Sequence, residues 1–218
     1  MNVGIGTGDD PERVRANRAR LRPLLPAEPR WLQQVHGSVV VDADDDDGCD
    51  ATLTPPEADA SVALHRGAVC AVMVADCLPV LLADVSGRGV AAAHAGWRGL
   101  AGGVVQAAAA RLRQRLDDPA AKLVAWLGPA IGPKQFEVGL DVLDAMQLQL
   151  PDAARAFVPL REGKFLADLP ALARQALATA GVTEVAGGCW CTVSDPQRFF
   201  SYRRDGMTGR HAALIWRV

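Results

Sequence analysis

VCAVMVADCLPVLLADVSGRGVAAAHAGWRG, residues 69–99, contains two short apolar runs, and each ends in a side chain capable of chemistry. The first run delivers Cys77 and the second His94. Between them Ser86, Gly87, Arg88 and Gly89 have the composition of a tight turn joining paired strands. After His94 come Gly96, Trp97, Arg98 and Gly99, followed by a helix-forming run. The chemistry is therefore expected around Cys77, His94 and Arg98.

Working outward, strands are expected over 58–63, 69–75, 80–84 and 90–94. Their near-continuous apolar character suits strands buried on both faces in a layered α/β or α+β fold. On the N-terminal side, Asp9 or Asp10 caps a helix with Pro11 in its first position, running to about Arg22. Residues 31–36 and 38–41 read as two strands hinged at Gly37. On the C-terminal side, helices are expected over 100–116, 140–150 and 168–180, the last capped by Asp168. Strands are expected over 122–127, 182–186, 191–194 and 212–218. The proline and glycine density of residues 128–133 requires a loop. There is no internal repeat and no long linker, so a single domain over 1–218 is expected.

Half of the 218 residues are hydrophobic, which is enough for a sizeable core. A formal net charge of −2 gives no reason to expect nucleic acid or an anionic membrane as partner. No apolar run approaches the ~20 residues that span a bilayer. Five cysteines, an odd number, with no secretory signal argue against a disulfide framework and for a reducing, cytoplasmic setting. The acidic segment DADDDDGCD, residues 42–50, invites a calcium reading. Asp47 stands where the loop glycine is required and Leu53 where the closing glutamate belongs, so a solvated loop is expected instead.

His36, Cys77 and His94 each end an apolar run. If those ends meet, two imidazoles and a thiolate make a three-ligand zinc site with an open fourth position. Spacing alone does not tie 36, 77 and 94 together. Taken alone, it favours a cysteine packed as a small hydrophobe and histidines bonded to carbonyls. Cys189 and Cys191 form a C-x-C pair expected to pack in the core. Arg198, Arg203, Arg204 and Arg210 crowd one segment, where guanidinium forks could hold phosphate or carboxylate or simply face water. His65 and His211 are read as bystanders.

The strings QVHG (34–37), ADASV (58–62), VMVADCLPVLL (72–82), AAAHAGWRGLAGGV (91–104), WLGPAIGPKQFEVG (126–139), LADLPALARQ (166–175) and FFSYRRDGMTGR (199–210) occur in this order. Together they resemble the YfiH-type laccase-domain family, once named polyphenol oxidases and now described as purine nucleoside phosphorylases. The resemblance implies zinc held by His36, Cys77 and His94. It implies an α+β fold with two facing mixed β-sheets flanked by helices in α/β/β/α layers, related to cysteine hydrolases. It further implies an enzyme acting on purine nucleosides and inorganic phosphate, by phosphorolysis of adenosine, inosine, guanosine and methylthioadenosine and by deamination of adenosine. Arg98, with Arg203 or Arg204, would hold phosphate, and Asp76 or Asp59 would shuttle protons. Relatives carry further N-terminal strands and a histidine where this chain has Ile5-Gly6, so a truncated, misassigned or absent site wall is expected, with exposed sheet edges. The oligomer is expected to be a monomer or weak dimer. Two alternatives stand beside this. One is a cysteine hydrolase with Cys77 as nucleophile and His94 as base. The other is a copper phenol oxidase, for which four histidines with no H-x-H pair are a poor ligand supply.

Overall fold

Asp10 accepts the amide hydrogen of Glu12 and Pro11 fills the first helical position, so the expected first helix forms as α1 (Pro11–Leu21). The computed structural model describes residues 1–44 and 55–218. After α1 come strands β1 (Pro29–Arg30), β2 (Val40–Asp42), β3 (Ala60–Ala63), β4 (Val69–Val74), β5 (Leu78–Asp84) and β6 (Val90–Ala95). Helices α2 (Trp97–Ala101) and α3 (Val104–Arg115) lead to β7 (Leu123–Leu127), β8 (Glu137–Gly139) and α4 (Leu140–Gln149). The chain closes through β9 (Phe157–Arg161), β10 (Lys164–Ala167), α5 (Leu169–Thr179), β11 (Glu184–Gly187), α6 (Tyr202–Asp205) and β12 (His211–Trp216).

The two runs of residues 69–99 that flank Ser86–Gly89 are antiparallel partners, β5 and β6, in register from Leu78↔Ala95 to Ala83↔Val90. Their turn is held by Asp84, whose carboxylate accepts the Arg88 amide and its guanidinium Nε at 2.8 Å. Around this hairpin grows a six-stranded mixed sheet in the order β11-β7-β5-β6-β3-β2, parallel at both margins and antiparallel in the middle. A second mixed sheet, β1-β4-β12, lies across one face of it. Cys70 and Val72 of β4 pack there against Val90 and Ala92 of β6.

The opposite face of the large sheet is covered by α3 and α5. Val105, Ala108, Ala109 and Leu112 of the one and Leu172, Ala173, Ala176 and Leu177 of the other are fully buried. Small residues on both sides, Ala108 and Ala109 above and Ala91 and Ala93 below, allow close approach of helix to sheet. On the far side of the small sheet, Leu21 of α1 packs with Trp31, Ala71 and Met73. The layers are thus helix, sheet, sheet, helix. Both sheets are mixed and the class is α+β, as expected.

Three expected elements need correction, and one sheet is additional. Residues 31–36 are not a strand. The Gln34 side chain exchanges two hydrogen bonds with the Met73 backbone, 2.7 and 2.8 Å, in place of a main-chain ladder. Residues 191–194 make one isolated bridge, Ala130↔Cys191, and then turn. The helix expected over 100–116 is broken at Gly102–Gly103, where Gly103 has φ +80°, a left-handed conformation that favours glycine. A third, small antiparallel sheet, β8-β10-β9, was not anticipated. The acidic segment is also less solvated than its composition suggests. Asp42 is ion-paired to Arg111 and to Arg115, and Asp44 accepts the amides of Leu64 and His65 at 2.7 and 2.9 Å. The remainder of that segment, from residue 45 on, and Cys49 with it, lie outside the described residues. No helix is long and apolar enough to cross a membrane among the described residues.

Candidate metal centre

His94, the last residue but one of β6, sits in register with Pro79 of β5 and is 3% exposed. The turn from β4 into β5 places Cys77, half-buried, at the same end of the sheet. The third side chain, His36, arrives on the loop before β2 and is exposed. These are the ends of three separate segments, and they meet. Cys77 Sγ lies 3.7 Å from His36 Nε2, and the two imidazole centroids are 4.8 Å apart, edge to face. One donor atom from each residue lies within 4.8 Å of the others. For tetrahedral zinc with bonds of about 2.3 Å to sulfur and about 2.0 Å to nitrogen, S···N separations come to roughly 3.5 Å, so this donor set fits a metal ion with little movement.

Two backbone devices hold the convergence. His36 has φ +62° and Asp76 has φ +95°, both in a region that L-residues avoid unless their surroundings compel it. At Asp76 the compulsion is visible. Its carboxylate accepts Thr192 Oγ1 at 2.5 Å, Ser201 Oγ at 3.0 Å and the Arg203 amide at 2.6 Å, while its carbonyl accepts the Ile131 amide at 2.9 Å. At His36 the corresponding group is Asp59, which is wholly buried. Asp59 Oδ1 accepts the His36 amide at 3.0 Å and His94 Nδ1–H at 2.8 Å. Its Oδ2 accepts the amides of Val35 at 3.1 Å and Gly37 at 2.7 Å. A carboxylate can only accept, so His94 carries its proton on Nδ1 and presents Nε2 to the site.

Electrostatics follow from these contacts. Burial alone would raise the Cys77 thiol, but the His94 charge and hydrogen bonds from both imidazoles outweigh it and bring it down to about 6. Burial would likewise lower His94, yet the Cys77 thiolate and the Asp59 carboxylate raise it to about 9. For Asp59 too, burial raises the carboxyl, and the His94 and backbone hydrogen bonds override it and lower it. These shifts favour the Cys77 thiolate as a ligand, while a metal ion bound there would displace the Nε2 proton of His94 and leave its Nδ1 proton on Asp59.

Asp59 and Asp76, both expected to shuttle protons, are occupied by four and three donors respectively and hold the site together. Asp76→Asn would turn an amide toward hydroxyl and N–H donors and is expected to cost about 1–3 kcal/mol, read by denaturant unfolding. Arg204 is likewise not free to clamp phosphate. Its five N–H groups go to Thr192 O, Val193 O, Phe199 O and both Asp205 oxygens. Arg203 is exposed, with one guanidinium N–H on Glu137 O. Arg98 is exposed and stacks on Trp97 at 4.2 Å. Two further glycines matter: a Cβ at Gly96 would meet Cys77 Sγ, and one at Gly99 would meet Gly37 O and His94 O. In the sequence, the small residues around His94 were the signal for that closeness.

Of the other candidates, Cys189 is exposed and Cys191 half-buried rather than packed in the core. Cys191 Sγ accepts the Gly132 amide at 3.2 Å. His65 is exposed, and His211, on β12, lies against Phe199 with both ring nitrogens buried and unpartnered. Burial pushes His211 down to about 4, with the Asp76 carboxylate opposing. Its folded pKa thus lies below the unfolded ~6.5. Stability is unaffected above pH 6.5, falls by about 1.4 kcal/mol per unit as the unfolded chain alone takes the proton, and levels near pH 4. His211→Phe is expected to flatten that limb in a pH series of thermal melts.

Residues 1–218 match the model of a family described as multi-copper polyphenol oxidoreductase laccase. The chain is 49% identical over 217 residues to a purine nucleoside phosphorylase of Pseudomonas aeruginosa, covering 99% of this chain and 85% of that protein. It is 46% identical over 220 residues to the purine nucleoside phosphorylase YfiH of Escherichia coli, covering 100% and 86%. Among crystal structures, a Neisseria meningitidis protein superposes with a TM-score of 0.90 at 51% identity, over 99% of this chain and 86% of that one. YlmD from Geobacillus stearothermophilus gives 0.89 at 33%, over 99% and 84%. A cluster of several copper ions, suggested by the family description, does not fit the residues. Only His36 and His94 of the four histidines reach the site, and the third donor is a thiolate.

Proposed function

The chain belongs to the multi-copper polyphenol oxidoreductase laccase family, and on that premise we propose that it is a zinc-dependent purine nucleoside phosphorylase that also deaminates adenosine. The observation that carries this is the convergence of His36, Cys77 and His94 into a three-donor set reaching the surface. Three protein ligands and an accessible side are the arrangement of a catalytic zinc. Bound there, zinc would supply Lewis acidity and lower the pKa of a coordinated water to about 7.

The protein's own residues divide the remaining work. Phosphorolysis joins a phosphate oxygen to C1′ of the ribose and breaks the bond from C1′ to the base. The bonding pair leaves on the base nitrogen, which takes a proton. Arg98 and Arg203 are the guanidinium groups assigned to phosphate, since both are exposed and, unlike Arg204, neither has all five N–H groups engaged by protein oxygens. Adenosine, inosine, guanosine and methylthioadenosine share the purine and ribose that such a site would grip. Deamination instead forms a bond from a water oxygen to C6 and breaks the C6–N bond, the amino group leaving as ammonia with protons from that water, and its chemistry is closer to what the metal supplies.

Zinc-loaded protein given adenosine and inorganic phosphate is expected to release adenine, with inosine and hypoxanthine as further products. Omitting phosphate should leave only inosine. No product in either arm would overturn the reading. A second reading, a cysteine hydrolase, is favoured by one observation: the Cys77–His94–Asp59 chain resembles a nucleophile, base and orienting acid. It predicts activity in metal-free protein and its loss on alkylation of Cys77 by iodoacetamide. Cys70, buried and pushed up to about 12, should remain unlabelled.

A further inference from the structure

Asp59 is wholly buried just before β3, and its side chain meets two segments far apart in sequence. Four N–H groups converge on its two oxygens, at 2.7 to 3.1 Å. Three are the consecutive amides of Val35, His36 and Gly37, and the fourth is His94 Nδ1. The His94 backbone is fixed by the same residue, for its amide donates to the Asp59 carbonyl at 2.7 Å. One residue therefore sets the ring orientation and tautomer of His94 and the left-handed backbone that turns His36 toward Cys77.

We propose that Asp59 is the positioning residue that presets both histidines before any metal arrives. This rests on reading the three-donor set as a metal centre. The loop 35–37 carries two exposed residues and a glycine, and the Asp59 carboxylate gathers its three amides. Without the carboxylate, His36 would lose the contacts that hold φ at +62°, and His94 would lose the Nδ1 contact that turns its Nε2 toward the site. The metal would then have to order the loop and orient the ring, and affinity would fall by that amount.

Asp59→Asn tests this. Asparagine has the same shape, but whichever way its amide is turned, an NH₂ faces two N–H donors: the Val35 and Gly37 pair, or the His36 and His94 pair. Zinc affinity, measured by competition with a chromophoric chelator, is expected to drop about 10–100-fold. The absorption spectrum of the Co²⁺-substituted protein should change as ligand geometry relaxes. Asp84→Asn serves as control, since Asp84 is also buried but pairs with Arg88, and its zinc affinity and Co²⁺ spectrum should match wild type. A second measurement needs no variant. In metal-free wild type, the amides of Val35, His36 and Gly37 should resist hydrogen exchange, and zinc should add little protection. Free exchange of these amides without metal, or Asp59→Asn binding zinc as tightly as wild type with an unchanged Co²⁺ spectrum, would overturn the role of Asp59. Wild type that takes up no zinc, with these amides nonetheless protected, would overturn the metal reading instead.

Discussion

His36→Ala is expected to lower zinc affinity by more than about 100-fold, beyond what loss of an outer-shell partner costs, and to remove nucleoside turnover with it. His36 is exposed, and its replacement also has a Cβ, so the backbone strain at φ +62° is common to both and folding should survive. The variant separates the readings of the site more cleanly than a change at Cys77 does. In a metal centre all three donors are needed. In a cysteine hydrolase His94, oriented by Asp59, is the base, and His36 is dispensable. Cys77→Ser would abolish either chemistry, because a serine hydroxyl supplies no thiolate. Metal content by mass spectrometry, a nucleoside product assay and a thermal melt on His36→Ala therefore decide together. Turnover retained without metal would refute zinc dependence. Loss of folding rather than of turnover would assign the metal a structural role.

Why this site had to be found in three dimensions follows from its parts. The strands at its base were legible: β3, β4, β5 and β6 are the near-continuous apolar runs, and the Ser86–Gly89 turn pairs two of them where its composition said it would. Helix starts at Asp10 and Asp168 were equally plain, because each has a capping carboxylate and an early proline. What escaped has a physical reason in each case. β9 is buried only at Phe157 and otherwise exposed, so it lacks the alternation that marks a half-buried strand. The loop at 31–36 is apolar enough for a strand, but Gln34 spends its side-chain amide on Met73, which no periodicity reveals. Asp59 and Asp76 were recognisable as residues of interest. That their oxygens are taken up by protein donors, four at Asp59 and three at Asp76, depends on partners 22 to 127 positions away in sequence.

Gly96→Ala carries the other large expected effect, and its argument is steric throughout. Gly96 has φ −64° and ψ 164°, a conformation open to any residue, so alanine brings no backbone strain. Its Cβ, however, would stand 2.7 Å from Cys77 Sγ and 3.1 Å from His36 Cδ2, where carbon contacts settle at about 3.5–4.0 Å. Cys77 has little room to yield: Asp76 before it is clamped by Thr192, Ser201 and Arg203, and Leu78 after it is wholly buried. His36 can yield more easily, because its ring is exposed. The methyl should therefore push the imidazole outward and open the distance to sulfur that now stands at 3.7 Å. Overpacking of this kind costs about 1–3 kcal/mol, seen as a lower midpoint in denaturant. Metal affinity should suffer more than stability, by at least tenfold, because a ring displaced by 1 Å leaves a ligand outside bonding distance. Gly99→Ala is a useful comparison, since its Cβ would touch the backbone oxygens of Gly37 and His94, 3.1 and 3.2 Å away, without touching a donor atom. If Gly96→Ala bound zinc as wild type does while Gly99→Ala did not, the glycine would be serving the helix entry and not the metal.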